Sequence, residues 1–481
     1  MSDPDETHPS PLELDPATVR RMVRDVLDRL LPWLERSAAP DAPMGSPTGG
    51  HRLAAALRRD WPEQGTPWPA LLADLERARA AALDTTSGGY LAYVPGGGLP
   101  HAAVADLYAD LANRFTGLWM CAPGLVALEI DAVRWLCRMV GYGDDAGGIL
   151  TSGGSLANLG GLVAARHRHM GDADPRRARV YRSAQAHHSI DKAARIAGLP
   201  VVDVPVDDQH RLRPDVLDRL LRDDLAQGAI PVAVVASAGT TALGAVDDLD
   251  AIASVCASHG VWLHVDAAYG GFFALTDRGR AVLQGLERAD SVVLDPHKGL
   301  FLPYGTGCLL VRDRDALREA HAVPSAYLPA PSDDPLAWDL ADLGPELSRP
   351  YRGLRVWLPL AMHGFGAFRA ALGEKLDLAQ LAAEGVRQLP HVRLVSAPVL
   401  SLFAFRAEPP GLDPDATDAW NRRWLLAVNR RRRVFLSGAK VHDPALGRDV
   451  FALRVCVLSF RTHADRIASL VADLAAAAAE A

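Results

Sequence analysis

In the residues SVVLDPHKG, numbers 291 to 299, an apolar strand ends at Asp295, and Lys298 follows three positions later. The chain has 481 residues and 51 lysines and arginines, of which only four are lysines: Lys192, Lys298, Lys375 and Lys440. Arginine cannot replace lysine where the chemistry requires a primary amine that can lose its proton. Lys298 stands among strand-end polar residues, so it is the candidate for amine chemistry.

Short apolar segments alternate with helical patterns on the N-terminal side of Lys298 and just beyond it. Seven strands are predicted, at residues 148–151, 179–182, 201–204, 230–236, 262–266, 291–295 and 306–311. This alternation indicates an α/β domain with a mainly parallel sheet that is buried on both faces. Ligands of such sheets bind at the carboxyl ends of the strands, so the residues that follow each strand are candidate site residues.

Three further regions surround this domain. Asp15 and Pro16 predict the start of an amphipathic helix that packs on its own domain or on a second subunit. A stretch rich in Pro and Asp is typical of a lid or mobile loop, and alternating apolar segments near the end predict an α+β unit. We therefore expect an N-terminal helical arm at 1–85, a large domain at 86–380 with a lid at about 322–349, and a small C-terminal domain at 381–481.

Composition argues against several classes of protein. A net charge of −7 disfavours general binding to nucleic acid or acidic membranes, which requires a positive field. The five cysteines form no CxxC pair, which favours free thiols in a reducing compartment. The first residues lack an apolar signal core, and the longest uncharged run suits a strand and loop better than a membrane span. We expect a cytoplasmic protein that contacts neither nucleic acid nor membrane.

Two strand ends carry candidate ligand-binding groups. The turn SGGSLAN at 152–158 enters a helix, where backbone N–H groups and the Ser155 hydroxyl could bind a phosphate. A plain turn with Ser155 as the N-cap explains the same residues equally well. His187 and His188 are adjacent and poorly placed to chelate one metal, so no metal site is expected. One imidazole could instead stack on a flat ligand, or serve as a cap or core residue.

Asp266 ends an apolar strand, where a carboxylate is costly unless it pairs with a cation or several donors. It could form a structural ion pair, or it could bind a protonated ring nitrogen. One ligand uses all of these groups. Pyridoxal phosphate has an aldehyde for Lys298, a pyridine nitrogen for Asp266, a phosphate for the glycine-rich turn and an aromatic face for His187.

The strings TSGGSLANLGGL, AHHSIDKA, VDAAYGG, DPHKG and LRVCVLSFRT resemble the group II pyridoxal-phosphate-dependent decarboxylases, typified by aromatic-L-amino-acid decarboxylase. The resemblance extends over roughly residues 90–462. It implies the fold type I architecture of a pyridoxal-phosphate enzyme, with an N-terminal segment that wraps the partner subunit, a large cofactor domain and a small C-terminal domain. It also implies an obligate homodimer.

By this resemblance, Lys298 forms a Schiff base with the cofactor, Asp266 pairs with the pyridine nitrogen, and His187 stacks on the ring. The other implied cofactor contacts are Gly154, Ser155 and Asp295 around the phosphate, Thr241 and Ala268 along the cofactor, and His297 beside the lysine. Tyr93 falls in the aromatic patch of the family's substrate pocket. Tyr90 and Trp119 are further candidates for contact with the substrate side chain, although the packing of a dimer interface would also explain them.

The chain departs from the family pattern beside the lysine and in the lid. Gly299 follows the lysine where relatives often have Trp, and Asp295 stands where many have Asn. Counting back from GLRVW places Leu340 opposite the tyrosine with which relatives protonate the intermediate. Tyr327, His187, His297 or a water molecule therefore becomes the candidate proton donor.

We expect pyridoxal-phosphate-dependent decarboxylation of an L-amino acid, aromatic or bulky and apolar, to the amine. Two alternatives remain open. The same fold could divert the reaction to oxygen and release an aldehyde, or the chain could be a dimeric scaffold without catalytic activity.

Overall fold

The computed structural model describes residues 12–39, 42–45, 50–171, 173–323 and 337–480. A seven-stranded sheet is formed by β1 (Gly147–Thr151), β2 (Ala178–Ser183), β3 (Val201–Val204), β4 (Ile230–Ser237), β5 (Trp262–Asp266), β6 (Ser291–Leu294) and β7 (Gly307–Val311). Its order is β1-β7-β6-β5-β4-β2-β3, and β7 runs antiparallel to both neighbours while the other pairs are parallel. The predicted sheet is confirmed, with every strand boundary within one residue of the prediction.

The segment predicted as an N-terminal arm contains α1 (Pro16–Ser37), α2 (Gly50–Leu57) and α3 (Trp68–Ala80). Asp15 caps α1 as predicted, because its carboxylate accepts hydrogen bonds from the backbone N–H groups of Ala17 and Thr18 at 2.9 and 3.0 Å. The α1 helix packs on α3, where Trp68 Nε1 donates to Asp25 Oδ2 at 2.9 Å. Helices α1 and α3 therefore pack on each other.

Helices cover both faces of the sheet. They are α4 (Pro100–Ala112), α5 (Pro123–Met139), α6 (Gly154–Met170), α7 (Ser189–Ala197), α8 (Pro214–Ala226), α9 (Leu249–His259), α10 (Asp277–Val282), α11 (Pro296–Gly299), α12 (Asp315–His321) and α13 (Gly353–Arg387). Consecutive strand residues such as Val292 and Val293 enter two separate hydrophobic clusters, the pattern of a sheet buried on both sides. Among the described residues, no helix is long and apolar enough to cross a bilayer.

The last part of the segment predicted as a lid packs on the large domain. A 3-10 helix at Leu340–Leu343 buries Leu340, which is 2% exposed and belongs to the same cluster as β1. Nearby, the backbone N–H of Trp119 donates to Asp339 Oδ1 at 2.7 Å. Leu340 is therefore a core residue of the large domain. Tyr327 lies outside the described residues.

The C-terminal part forms a second, antiparallel sheet. Its elements are β8 (Val392–Ser396), β9 (Leu402–Ala407), α14 (Pro414–Arg430), β10 (Ser437–Asp443), β11 (Arg448–Cys456) and α15 (Ala464–Ala477), with sheet order β10-β11-β9-β8. The expected α+β character is present. The sequence analysis did not predict β10, because Gly438 and Lys440 interrupt the apolar alternation. Gly438 lies against the Phe451 ring, where a Cβ atom would approach Phe451 Cζ to 2.2 Å.

Candidate active site

A cavity of about 410 Å³ opens at the carboxyl ends of β1, β4, β5 and β6. All nine residues that the sequence predicted as cofactor contacts line it: Gly154, Ser155, His187, Thr241, Asp266, Ala268, Asp295, His297 and Lys298. A larger cavity of about 620 Å³ lies between residues 208–211, 243–250 and 395–399 and contains none of them. The smaller cavity is the candidate active site because it holds the reactive side chains.

Lys298 lies in α11, one short turn after β6. Pro296 begins this turn, and the Lys298 Nζ atom reaches back to within 2.9 Å of Asp295 Oδ2. Burial lowers the pKa of the Lys298 ammonium, but Asp295 and then Asp266 raise it, and the net result is a pKa above the ordinary lysine value. The amine therefore rests as an ammonium ion and must lose a proton before it can act as a nucleophile.

Asp295 meets the start of α6 at one end of the cavity. Its side chain is buried, and its Oδ1 atom has no hydrogen-bond partner among the described residues. A Cβ atom on Gly154 would lie 3.1 Å from Asp295 Oδ2 and 3.2 Å from Ala268 Cβ, so a side chain here would crowd the cavity. The N-cap of α6 is Gly153, without a side-chain cap, so Ser155 is not the cap that the alternative interpretation required. The N–H groups of the first turn remain available to an anion.

Asp266 ends β5 on the floor of the cavity. Its Oδ2 atom accepts a hydrogen bond from Asn158 Nδ2 at 3.1 Å, and its Oδ1 atom accepts one from the backbone N–H of Ala268 at 3.2 Å. The carboxylate is held by amide donors, and within the described chain no cation forms an ion pair with it. It thus has capacity to bind a protonated group that enters the cavity.

His187 precedes α7 and lines the cavity, whereas the adjacent His188 is exposed. The His187 Nδ1 atom lies 2.7 Å from Ser189 Oγ and accepts a hydrogen bond from the Ser189 backbone N–H at 3.3 Å. Burial lowers the pKa of His187, although Asp266 acts in the opposite direction. The neutral imidazole therefore has Nδ1 as an acceptor and carries its proton on Nε2.

His297 stands beside Lys298 on the same short helix. Its Nδ1–H donates to the carbonyl oxygen of Thr306 at 2.6 Å, and Nε2 lies 3.7 Å from Asp295 Oδ2. Burial lowers the pKa of His297. The neutral ring is consequently fixed by the backbone of the next strand, with Nε2 turned toward Asp295.

Arg454 joins the small domain to the edge of the cavity, a contact that the sequence analysis missed. This residue of β11 donates to the carbonyl oxygens of Thr241 and Ala242, the latter at 2.8 Å, and to Ser437 Oγ at 2.9 Å. The motif LRVCVLSFRT contained Arg454, but nothing in the string indicated which loop it would reach. The small domain thus supports the loop whose Thr241 lines the cavity.

The predicted substrate residues do not line this cavity of the chain. Tyr90 is 4% exposed and stacks on Phe435 with ring centroids 6.1 Å apart, so it is a core residue. Tyr93 is 59% exposed, and Trp119 packs beside the cluster that contains β1. The structure does bring in polar residues that were not predicted as contacts, among them Asn158, Ser189, Ser237 and Tyr269. The position of Asn158 inside the SGGSLAN motif was the available signal.

Known proteins resemble this chain over most of its length. The model of the pyridoxal-dependent decarboxylase conserved domain matches residues 51–408. Aromatic-L-amino-acid decarboxylase of Bacillus atrophaeus is 32% identical over 397 residues, which cover 81% of this chain and 81% of that protein. Tryptophan decarboxylase TDC1 of Camptotheca acuminata is 28% identical over 446 residues, covering 89% of this chain and 88% of that protein. The crystal structure of Oryza sativa TDC with PLP and tryptamine has a TM-score of 0.89 at 26% identity, covering 98% of this chain and 99% of that one.

The residues present fit pyridoxal phosphate, the cofactor of this family. The start of α6 offers uncapped N–H groups for the phosphate, Asp266 offers a carboxylate held by amides, and Lys298 offers a primary amine in the same cavity. The family model spans well over half of the chain, and the chain covers most of the Bacillus relative. The chain therefore belongs to the pyridoxal-dependent decarboxylase family.

Proposed function

We propose that this enzyme decarboxylates an L-amino acid with an aromatic or bulky apolar side chain to the corresponding amine. The observation that carries the proposal is the convergence of Lys298, Asp266 and His187 on one cavity. The names of several relatives support the substrate class, since they include aromatic-L-amino-acid, tryptophan and histidine decarboxylases. All of these substrates have a planar ring in the side chain.

Each residue has a role that follows from its position. When bound, pyridoxal phosphate supplies an aldehyde carbon for an amine and a ring that accepts the electrons left by carbon dioxide. Asp266 keeps a proton on the ring nitrogen, and the first turn of α6 with Ser155 holds the phosphate. Lys298 would hold the aldehyde carbon through its primary amine. His187 would cover the ring face, and its Nε2 proton makes it, with Tyr327, a candidate donor of the proton that completes the amine. The neutral His297 ring already gives its Nδ1 proton to the Thr306 carbonyl oxygen, so it has no second proton to donate.

The lysine assignment is tested by chemical trapping. Borohydride treatment of the enzyme with pyridoxal phosphate should leave the cofactor on the peptide that contains Lys298, and Lys298→Ala should lose this label and amine formation. The buried Lys375, which bonds the Thr462 carbonyl oxygen and the Glu374 carboxylate, provides the matched control Lys375→Ala. Label on another peptide would refute the assignment.

The substrate and product are tested with a panel of amino acids, assayed in parallel for carbon dioxide, amine, aldehyde and hydrogen peroxide. Amine without peroxide from an aromatic amino acid supports the proposal. Aldehyde with peroxide would replace it with the oxidative alternative. A panel in which small or acidic amino acids react best would overturn the proposed substrate class.

We further propose a homodimer in the cytoplasm. Four apolar residues lie at helical spacing on the outer face of α4 and are 41–63% exposed in the single chain: Val104, Leu107, Tyr108 and Leu111. A stripe of this kind is typical of a protein–protein interface. All five cysteines are unpaired, which supports a reducing compartment.

A further inference from the structure

Asn158 occupies a junction beneath the cavity. It lies in α6 and is 1% exposed. Its Nδ2 atom donates to Asp266 Oδ2 at 3.1 Å and to Ser189 Oγ at 2.9 Å, and its Oδ1 atom lies 2.9 Å from His264 Nε2. A carboxylate can only accept, so the amide nitrogen must face Asp266. Both N–H donors of this side chain are thereby used, and its carbonyl oxygen has one partner.

A chain of hydrogen bonds leads from Trp262 to Asn158, and in each bond the donor is the residue nearer to Trp262. Trp262 Nε1 can only donate, and it donates to Ser291 Oγ at 2.7 Å. The Ser291 hydroxyl proton is then directed to His264 Nδ1, also at 2.7 Å, and His264 Nε2–H donates to Asn158. Burial holds the pKa of His264 down to about 4, so the ring is neutral and has one donor and one acceptor nitrogen, as this order requires.

A second branch runs from Asn158 to His187. Because Asn158 donates to Ser189 Oγ, the serine hydroxyl is left with its own proton to give, and His187 Nδ1 lies 2.7 Å away. The branch therefore fixes the His187 tautomer with its proton on Nε2. One amide thus orients both the carboxylate expected at the ring nitrogen and the imidazole expected on the ring face.

We propose that Asn158 is a positioning residue that keeps Asp266 an oriented acceptor and His187 an Nε2–H donor, with His264, Ser291 and Trp262 fixing the direction of its amide. This inference rests on the proposed roles of Asp266 and His187. None of the three supporting residues needs to contact the substrate, since they act through the hydrogen bonds of Asn158.

The decisive variant is Asn158→Asp, which keeps the shape of the side chain, removes both donors and adds a negative charge next to Asp266. The affinity of the full-length apoenzyme for pyridoxal phosphate, measured by equilibrium titration of cofactor absorbance, should fall by about tenfold or more. The new carboxylate should also accept the Ser189 proton, so ¹⁵N NMR of labelled histidines should show His187 leaving the Nε2–H tautomer.

The matched control is Asn421→Asp in α14. Asn421 is fully buried and also makes three hydrogen bonds, to the backbone of Ala407 and Thr417, but it lies in the small domain. This variant should keep wild-type cofactor affinity and the His187 signal. Equal affinity and an unchanged His187 tautomer in Asn158→Asp would overturn the inference, whereas a wild-type chain that binds no cofactor would overturn the proposed function itself.

A second pair of variants gives a result even if Asn158→Asp does not fold. In His264→Gln the new amide can still donate to Asn158 Oδ1, whereas in His264→Leu it cannot. We expect His264→Gln to retain most of the cofactor affinity and His264→Leu to lose it. Equal affinities in these two variants would contradict the role of the His264 donor.

Discussion

Asp295 and Lys298 form the ion pair that controls the reactive amine. Asp295 is the largest of the influences that raise the pKa of Lys298. Asp295→Asn should therefore lower this pKa, leave more neutral amine at pH 7, and make the apoenzyme react severalfold faster with pyridoxal phosphate, as followed by absorbance. Asp313→Asn, which removes an exposed partner of Arg168, is the control. A slower reaction of Asp295→Asn would show that the carboxylate assists the amine in another way.

His264 makes stability depend on pH. Its pKa is about 4 in the folded chain, against an ordinary value near 6.5. The unfolded chain therefore takes up the proton first, and the contribution of the neutral ring to stability is complete above pH 6.5 and is lost as the pH falls toward 4. Between pH 7 and 5 the loss is about 2 kcal/mol. Calorimetry should show that the Tm of the His264→Gln apoenzyme falls less between pH 7 and pH 5 than the Tm of the wild type. The control His51→Gln, at an exposed position, should show the same fall as the wild type.

At the scale of the element, α6 depends on a glycine that faces β5. A Cβ atom on Gly161 would lie 2.4 Å from His264 Cε1, which leaves the imidazole no room. Gly161→Ala should therefore destabilise the fold by about 1–3 kcal/mol, measured as a lower Tm. Gly366, within α13, has no heavy atom within 4 Å of the same position, so Gly366→Ala should stabilise the helix by up to about 1 kcal/mol. Similar Tm values for both variants would show that His264 can move aside.

The elements differ in how far the sequence predicts them. The buried strands of the central sheet are continuous apolar runs such as Val292 to Leu294, so their position follows from composition alone. Lys298 and Asp266 were identifiable because a charged group at the end of an apolar strand is costly to bury unless it binds a partner. The role of Asn158 was not, since its partners Ser189 and His264, and Ser291 on the far side of His264, come from three separate elements and meet only in the folded chain. The packing of Tyr90 could not be predicted for the same reason, because Phe435, on which its ring stacks, is remote in sequence.

At the scale of the whole molecule, the exposed stripe on α4 should decide the oligomeric state. Light scattering should give wild-type enzyme twice the 51.5 kDa of one chain. Leu111→Glu places a charge in the stripe and should shift the mass toward that of one chain, because a buried unpaired carboxylate is costly. Leu426, 58% exposed on α14, gives the matched control Leu426→Glu, which should stay dimeric. A monomeric wild type, or a dimer that Leu111→Glu leaves intact, would refute this interface.

The hydrogen bonds from Arg454 to the loop at Thr241 and Ala242 limit how far the enzyme can be shortened. The segment matched by the family model ends at residue 408, directly after β9, and so excludes Arg454 and the rest of β11, one of the two strands that pair with β9. A truncated gene that encodes only this conserved segment would yield a protein with an open sheet edge and a loosened cavity wall. We therefore expect that a minimal catalyst must extend through β11, beyond the segment that the family model matches.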